Sequence, residues 1–568
     1  MKKIVYAILG VSMFLSGCGE DFVDSDTLTL ISDIQVWQDE LLVNAYINNI
    51  YDEVDFVNAS GQGNFNMGFD GAMGAEFRTF GAWQDPYRGS TNIIQSEGAH
   101  SQLNYWKYQQ VREINTAILQ LSEVSNLSQG FIDDKVTELR FLRAYVYFQM
   151  VKRYGGVPIL TKPQAFDTPQ EELLVSRNSE QEVYDFVISE LDAIVEQLPG
   201  EPIKGRPSKW AALALQSRAA LYAGSIGEFG EVQLDGLLGI PNPNFYWQKA
   251  YDASKMIIDD SGHVLYLKNE DDRAQNFQDL FIDEDNAEVI FSEIYDGDLK
   301  AHSFSNLCMP DGFNAGWGSN YNVFYDMVEL FDFEDGSSGK IDRSLIEGQR
   351  WTAADLFGKR DPRFRASVFY PESPWQGSTV YFHTKTTNAN SAPEGWPNVA
   401  NKRNRVRTGL HLRKRLDEGT LLPPGGTDDT DYIVFRLGEV YLNLAEAAFY
   451  LGKTTEALEA VNTIRDRAGM PLLATVSEEK IRHERQVELF AEDHRYWDLR
   501  RWRIAVEVLN GVSLKGLKYE YDGISRDYKI SFSNAENVER VFQERNYYLP
   551  LGLSRLADNH NLVENPGY

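Results

Sequence analysis

Val136, Leu139, Leu142, Val146 and Met150 recur at three- and four-residue intervals, the spacing of one face of an α-helix. Gly155-Gly156-Val157-Pro158 follows; glycine permits a left-handed cap and proline forbids continuation, so the helix is predicted to stop there. Pro207-Ser208 opens a second helix, rich in alanine (Ala211, Ala212, Ala214, Ala219, Ala220) and predicted to end near Gly224. Side chains that small let a neighbouring helix pack closely. A further block begins near Tyr432, where Leu437, Tyr441, Leu444, Ala448 and Leu451 form a stripe. After Gly452-Lys453 a partner helix carries Ala457, Val461, Ile464 and Ala468, closed by Gly469 and Pro471. Two amphipathic helices joined by so short a turn are the unit of a tetratricopeptide-type array, although no strict repeat at a ~34-residue period is visible. One more helix is predicted from about Glu478 to Arg503, with Val487, Phe490, His494 and Trp497 on one side.

Between Ile226 and Asp431 the pattern gives way to Gly, Pro, Asn and aromatics, with short alternating runs such as Glu288 to Ile294. That composition predicts loops, short helices and a little strand held on a helical scaffold, and places any ligand site among the loops. The expected architecture is mainly α: tetratricopeptide-like helical pairs over 31–226 and 432–503, a large loop-rich region over 227–431, and a C-terminal segment over 504–568.

The N-terminus adds a location. Lys2 and Lys3 precede an apolar run from Ile4 to Leu15, too short for the ~20 residues that span a bilayer, so it reads as a secretion signal over 1–17. Leu15-Ser16-Gly17-Cys18 has the form of a lipobox, in which the Cys18 thiol accepts a diacylglycerol. At ~0.8 kcal/mol per buried methylene, several acyl chains hold a protein to a membrane almost permanently. Residues 18–30 then serve as a lipidated tether, beginning with the acidic pair Glu20 and Asp21.

The formal charge is -29, and loss of Lys2 and Lys3 with the leader takes it to -31. Such a surface repels nucleic acid and anionic lipid. The local exception is Lys402 to Arg415, with seven basic residues, read as ion-pair donors for the abundant carboxylates in preference to an anion site. Strongly acidic polymers are disfavoured as ligands unless that stretch lines the site. With Cys18 acylated, Cys308 has no cysteine to pair with.

Several strings imitate catalytic or metal motifs and fail. His483-Glu484 begins like a zinc-protease helix, but Val487 stands where the second histidine is needed. Gly452-Lys453-Thr454 resembles the end of a phosphate loop, yet Ala447 replaces the earlier glycine. Asp283-Glu284-Asp285 and Asp332 to Gly336 lack the alternating ligands of an EF-hand, so no metal or cofactor is assigned, and a structural calcium ion among loop carboxylates stays open. Among 84 acidic residues no glycosidase pair can be picked from spacing.

Leu139-Arg140-Phe141-Leu142-Arg143-Ala144-Tyr145 through Tyr154-Gly155-Gly156-Val157-Pro158 resembles the signature helix of the SusD/RagB family of Bacteroidetes lipoproteins. Five further stretches agree in order: Pro207 to Gly224 (PSKWAALALQSRAALYAG), Phe435 to Ala447 (FRLGEVYLNLAEA), Ala457 to Gly469 (ALEAVNTIRDRAG), Glu484 to Trp502 (ERQVELFAEDHRYWDLRRW) and Glu564-Asn565-Pro566-Gly567-Tyr568. The resemblance implies a non-enzymatic, glycan-binding lipoprotein on the outer face of the outer membrane, built on four tetratricopeptide-like pairs. It also implies a partner, a SusC-like TonB-dependent barrel to which captured oligosaccharide or polysaccharide is delivered. Glu20 and Asp21 are similar to the acidic signal that routes such lipoproteins outward.

A sugar offers an apolar C–H face that stacks on Trp or Tyr and hydroxyls that pair with polar side chains. The family's site lies partly in the stretch ahead of Tyr105-Trp106, which brings in Trp83, Asp85, Tyr87 and Arg88, and partly ahead of Glu329 to Gly336, which brings in Trp317, Asn320 and Tyr321. Trp375 and Trp396 are weaker candidates in Pro/Gly-rich surroundings. Trp210, Trp497 and Trp502 are expected in packing, and Arg140, Arg143, Glu488, Asp498 and Arg501 in structural ion pairs. Two other readings compete: a structural lid with a peptide ligand, as the RagB side of the family suggests, and a glycoside hydrolase. The glycan itself is not legible.

Overall fold

The computed structural model of the chain describes residues 33–57, 69–79, 103–124, 126–164, 167–313, 315, 318–392 and 407–568. Its helices form a serial array: α1 (Glu40–Val54), α2 (Tyr108–Glu123), α3 (Gln129–Tyr154), α4 (Glu180–Ile194), α5 (Lys209–Phe229), α6 (Asn244–Asp260), α7 (Leu437–Tyr450) and α8 (Thr454–Ala468). From α2 onward each packs against the next, as in a solenoid of helical pairs. Starts are set by capping. Ser128, Ser179 and Ser208 each accept a backbone N–H of the first turn, and Ser179 with Glu182 forms a capping box. α3 ends at Gly155 and α8 at Gly469, both at positive φ, where the glycine pattern predicted. α3 and α5 have neighbours on several sides, so they are buried almost all round instead of along one stripe.

Three expectations are corrected. α5 does not end near Gly224 but runs on to Phe229, because Gly224 sits inside the helix where the Trp247 ring approaches; a Cβ there would lie 2.7 Å from that ring. The stretch assigned to the loop-rich region from 227 contains α6, whose Tyr246, Trp247, Ala250, Ala253 and Ile257 fill the space between α5 and α7. The helix expected over Glu478 to Arg503 is two, α9 (Glu478–Glu488) and α10 (Arg495–Arg501), with Ala491 and Asp493 at positive φ between them. Contacts from elsewhere in the chain hold that break open. Lys414 Nζ donates to the Phe490 carbonyl at 2.7 Å, Arg436 Nη2 to the Glu488 carbonyl at 3.2 Å, and the Glu76 carboxyl accepts the Ala491 N–H at 3.3 Å.

The molecule is 46% helical and 10% strand. The alternating run at Glu288 forms β1 (Val289–Glu293), antiparallel to β2 (Tyr432–Arg436), which leads directly into α7. The longest strands, β3 (Lys515–Asp522) and β4 (Asp527–Asn534), pair in register as a hairpin in the C-terminal segment and are flanked by Lys385–Thr387 and Arg350–Trp351. Among the described residues no helix is long and apolar enough to cross a membrane.

Charge inside the core joins the array to the loop-rich part. Arg436 meets Glu288 at 2.8 Å, Glu488 at 2.7 Å and Glu492 at 2.6 Å. Arg363 meets Asp361 at 2.7 Å, Glu484 at 2.6 Å and Glu488 at 2.9 Å, while Arg465, Arg467 and Lys414 complete the network on the same carboxylates. All of these side chains are buried. Gly438 makes room: a Cβ there would fall 2.1 Å from Arg436 Nη1. The expected ion pairs are present, Arg140 and Arg143 on Glu190, Arg501 on Asp498 and Glu446, as is the burial of Trp210, Trp497 and Trp502.

Burial alone would raise the Glu492 pKa, but Arg436 and Lys414 bring it down to about 2. A folded-state pKa below the unfolded value of about 4.5 gives stabilisation that is complete above pH 4.5 and lost as pH falls toward 2. The stability difference between wild type and Glu492→Gln should therefore shrink as pH is lowered from about 5 to about 2. Denaturant midpoints by circular dichroism measure it; a difference that stays constant over that window contradicts the network's role.

Candidate functional site

A small four-stranded sheet organises the loop-rich part. Its strands run in the order Phe77–Arg78, Asn322–Val323, His411–Leu412, Val368–Phe369, all antiparallel. Three of them stand beside sequence stretches that carry aromatic candidates: Phe77–Arg78 shortly before Trp83, Asn322–Val323 shortly after Trp317, and His411–Leu412 after Trp396. Asn322 ties two of these roots together. Its Oδ1 accepts the Arg407 N–H at 2.7 Å, and its Nδ2 donates to the Ser319 carbonyl at 2.9 Å.

Trp83, Asp85, Tyr87, Arg88, Trp317 and Trp396, together with Cys18, lie outside the described residues. The expectation for the other three candidates is corrected, because they are buried and present no open face. Tyr321 packs edge-on to Phe77 at 5.2 Å and stacks with Phe304. The Asn320 N–H donates to the Leu307 carbonyl at 2.8 Å. Trp375 belongs to a short strand paired with Ser378–Thr379; alternation along the strand turns Pro374 outward and Trp375 inward, edge-on to Phe369.

At the edge of the same sheet lies an open groove of about 650 Å³. Two of its lining residues continue the sheet strands, Tyr370 after Val368–Phe369 and Arg413 after His411–Leu412. A short helix, Arg273–Asp279, contributes Arg273, Gln275 and Gln278, and its start is capped by Asp272, which accepts the Ala274 and Gln275 N–H groups. Pro362 and Arg365 come from the helix Pro362–Ser367, and Pro374 closes the rim. Tyr370 is half-buried, held against Phe357 and Phe364, and burial pushes its phenol pKa up. Arg365 pairs with Glu334 at 2.7 Å. A wall of proline and tyrosine edged by guanidinium, amide and carboxylate groups offers an apolar surface and both donors and acceptors, the complement of a polyhydroxylated ring. The sequence pointed to Arg413 only as one of the basic residues between Lys402 and Arg415; nothing local pointed to Arg273, Arg365 or Tyr370, which converge from separate stretches. Lys414 next door is an ion-pair donor, on Glu492 at 2.7 Å.

The perturbed carboxyls are elsewhere. Burial raises Glu76 to about 8 and Glu293 to about 7, and neither lines the groove. Among the described residues no three of His, Cys, Asp and Glu are grouped to hold a metal ion. His483 approaches Asp332 at 3.4 Å, and Glu484 is taken up by Arg363 and Arg465.

Comparison with known proteins agrees with this architecture. A family model described as "SusD family" matches residues 287–568, and one described as "Starch-binding associating with outer membrane" matches residues 26–221. A SusD-like protein of Formosa agariphila is 24% identical over 548 residues, 90% of this chain and 92% of the relative. The crystal structure of a SusD-like protein from Bacteroides fragilis superposes with a TM-score of 0.75 at 24% identity, covering 94% of this chain and 99% of that one. A structure described as a laminarin-binding SusD-like protein gives 0.62 at 20% identity, covering 94% and 100%. At such identities the structural likeness establishes the fold.

Proposed function

Because the chain belongs to the SusD/RagB family, we propose that it is a non-catalytic, carbohydrate-binding lipoprotein, anchored through Cys18 and facing the cell exterior. It captures oligosaccharide or polysaccharide and delivers it to a SusC-like TonB-dependent barrel in the outer membrane. The observation that carries the reading is the groove along the edge of the small sheet, walled by Tyr370 and Pro374 and edged by the guanidinium groups of Arg273, Arg365 and Arg413. An aromatic face on a rigid support, edged by hydrogen-bonding groups, is what stacking on a sugar ring requires. The family model for residues 26–221, described as starch-binding and outer-membrane associated, supports the same reading.

Native affinity electrophoresis of the lipid-free chain from about Glu20 onward, against a panel of soluble polysaccharides, tests it. One polymer class should retard the wild type, and the double substitution Trp83→Ala, Trp317→Ala should restore free migration. If no polymer slows the wild type, saccharide capture is wrong, and a peptide ligand or a purely structural lid becomes the reading to pursue. Release of reducing ends by the purified chain would overturn its non-catalytic assignment.

A further inference from the structure

We infer that the groove beside Tyr370 takes a saccharide residue bearing a carboxylate, a uronosyl unit, with Arg413 as its counter-charge. The inference rests on the carbohydrate-binding reading above and names the chemical class of one ligand. Arg413 is only 8% exposed, lines the groove, and its Nε has no hydrogen-bond partner among the described residues. The carboxylate within ion-pair reach, Glu418, stands 3.9 Å from Nη2, and the guanidinium carbon lies 5.4 Å from the ring centres of both Phe369 and Trp375. Arg273, which also lines the groove, has a buried Nη1 without a hydrogen-bond partner among the described residues.

The buried arginines of the core show how the fold treats a charge it means to neutralise. Arg363 and Arg436 each hold three carboxylates at 2.9 Å or less. Arg413 is left without that company, and a desolvated guanidinium lacking a close counter-ion is costly to maintain. Burial accordingly lowers its pKa, whereas the carboxylates around Arg436 raise that residue's in spite of burial.

The groove's own acids do not fill the gap. Asp271 is exposed, Asp272 accepts two helix-capping N–H groups and Glu334 is paired with Arg365, while Glu418, outside the lining, accepts the Gln376 N–H at 2.6 Å. A planar carboxylate meeting the Arg413 guanidinium from the groove makes charge-assisted hydrogen bonds of the kind arginine is shaped for. The half-buried Tyr370 ring and Pro374 give the sugar ring an apolar wall. The overall charge of -29 limits the ligand's own charge, so isolated uronosyl residues in a largely neutral glycan fit better than a dense polyanion.

The test is calorimetry on the lipid-free chain with uronosyl-bearing oligosaccharides of several linkages and the same oligosaccharides after carboxyl reduction. The acidic form of one linkage should bind at least about tenfold tighter than its reduced form, the margin of a charge-assisted hydrogen bond, and added salt should narrow the gap. Arg413→Gln should abolish the preference and Arg273→Gln should weaken it. Arg273 is only half-buried, so its variant carries the test if Arg413→Gln fails to fold. Equal affinity for acidic and reduced forms, or a preference untouched by either substitution, overturns the inference while leaving neutral-glycan capture standing. If no saccharide binds in either form, the inference falls, and retardation by the polysaccharide panel decides the carbohydrate-binding reading separately.

Discussion

Arg436→Met should lower the melting temperature of the protein more than any exposed charge substitution does, and should leave little folded material at growth temperature. Arg436 is 2% exposed and holds Glu288, Glu488 and Glu492, from two separate stretches of the chain, at 2.6–2.8 Å. Removing it leaves those carboxylates short of positive charge where water cannot reach them. Breaking a buried ion pair from one side typically costs ~3–5 kcal/mol, a large part of the ~5–15 kcal/mol that keeps a domain folded. The loss should also be felt at a distance, because the same guanidinium caps the Glu488 carbonyl at the break between α9 and α10. Lys255→Met is the control. Its pair with Asp259 is a solvent-exposed i,i+4 contact, so it should change stability by no more than ~0.5 kcal/mol. Thermal melts of the two variants beside wild type decide the matter; an Arg436→Met midpoint as close to wild type as that of Lys255→Met would mean the network does not hold the fold.

Trp247→Ala should cost a similar amount through packing instead of charge. The Trp247 ring is fully buried, stacks on Tyr450 at 4.5 Å with an interplanar angle of 14°, and covers Gly224. It therefore joins α5, α6 and α7 at one point. Truncating a buried aromatic to alanine leaves a cavity and costs ~3–5 kcal/mol. Trp247→Phe should cost much less, because it keeps a ring against Tyr450 and removes an indole N–H that has no hydrogen-bond partner among the described residues. Urea denaturation followed by circular dichroism ranks the two, and equal midpoints would show that α6 is dispensable to the array. That outcome would return 227–260 to the status of a peripheral loop.

The helix α6 also shows where reading the chain reached its limit. Tyr246, Trp247, Ala250, Ala253 and Ile257 carry a helical period as clear as that of α7, but the glycines and prolines on either side masked it. The β3–β4 hairpin was missed for a related reason: its register is fixed by pairing across the turn at Gly523, and its alternation alone is short. Buried Tyr321 and Trp375 show the opposite error. Aromatics among Gly and Pro read as exposed loop residues, yet even loops bury their large side chains once other segments cover them.

What the sequence determined by itself was everything decided within a few residues. The start at Ser208, the stops at Gly155 and Gly469 and the apolar stripe of α7 all follow from local sterics and hydrogen bonding. Only the tertiary structure decided what depends on partners distant in the chain. The break after α9 exists because Lys414, Arg436 and Glu76 take up its backbone groups, and the groove exists because Arg273, the segment of Arg365 and Tyr370, and Arg413 converge from three stretches. The same separation governs Lys414 and Arg413, adjacent in sequence and indistinguishable by composition. One faces a carboxylate at 2.7 Å and the other an open groove, because the chain turns directly after the strand His411–Leu412 and only the folded chain supplies what each side chain meets.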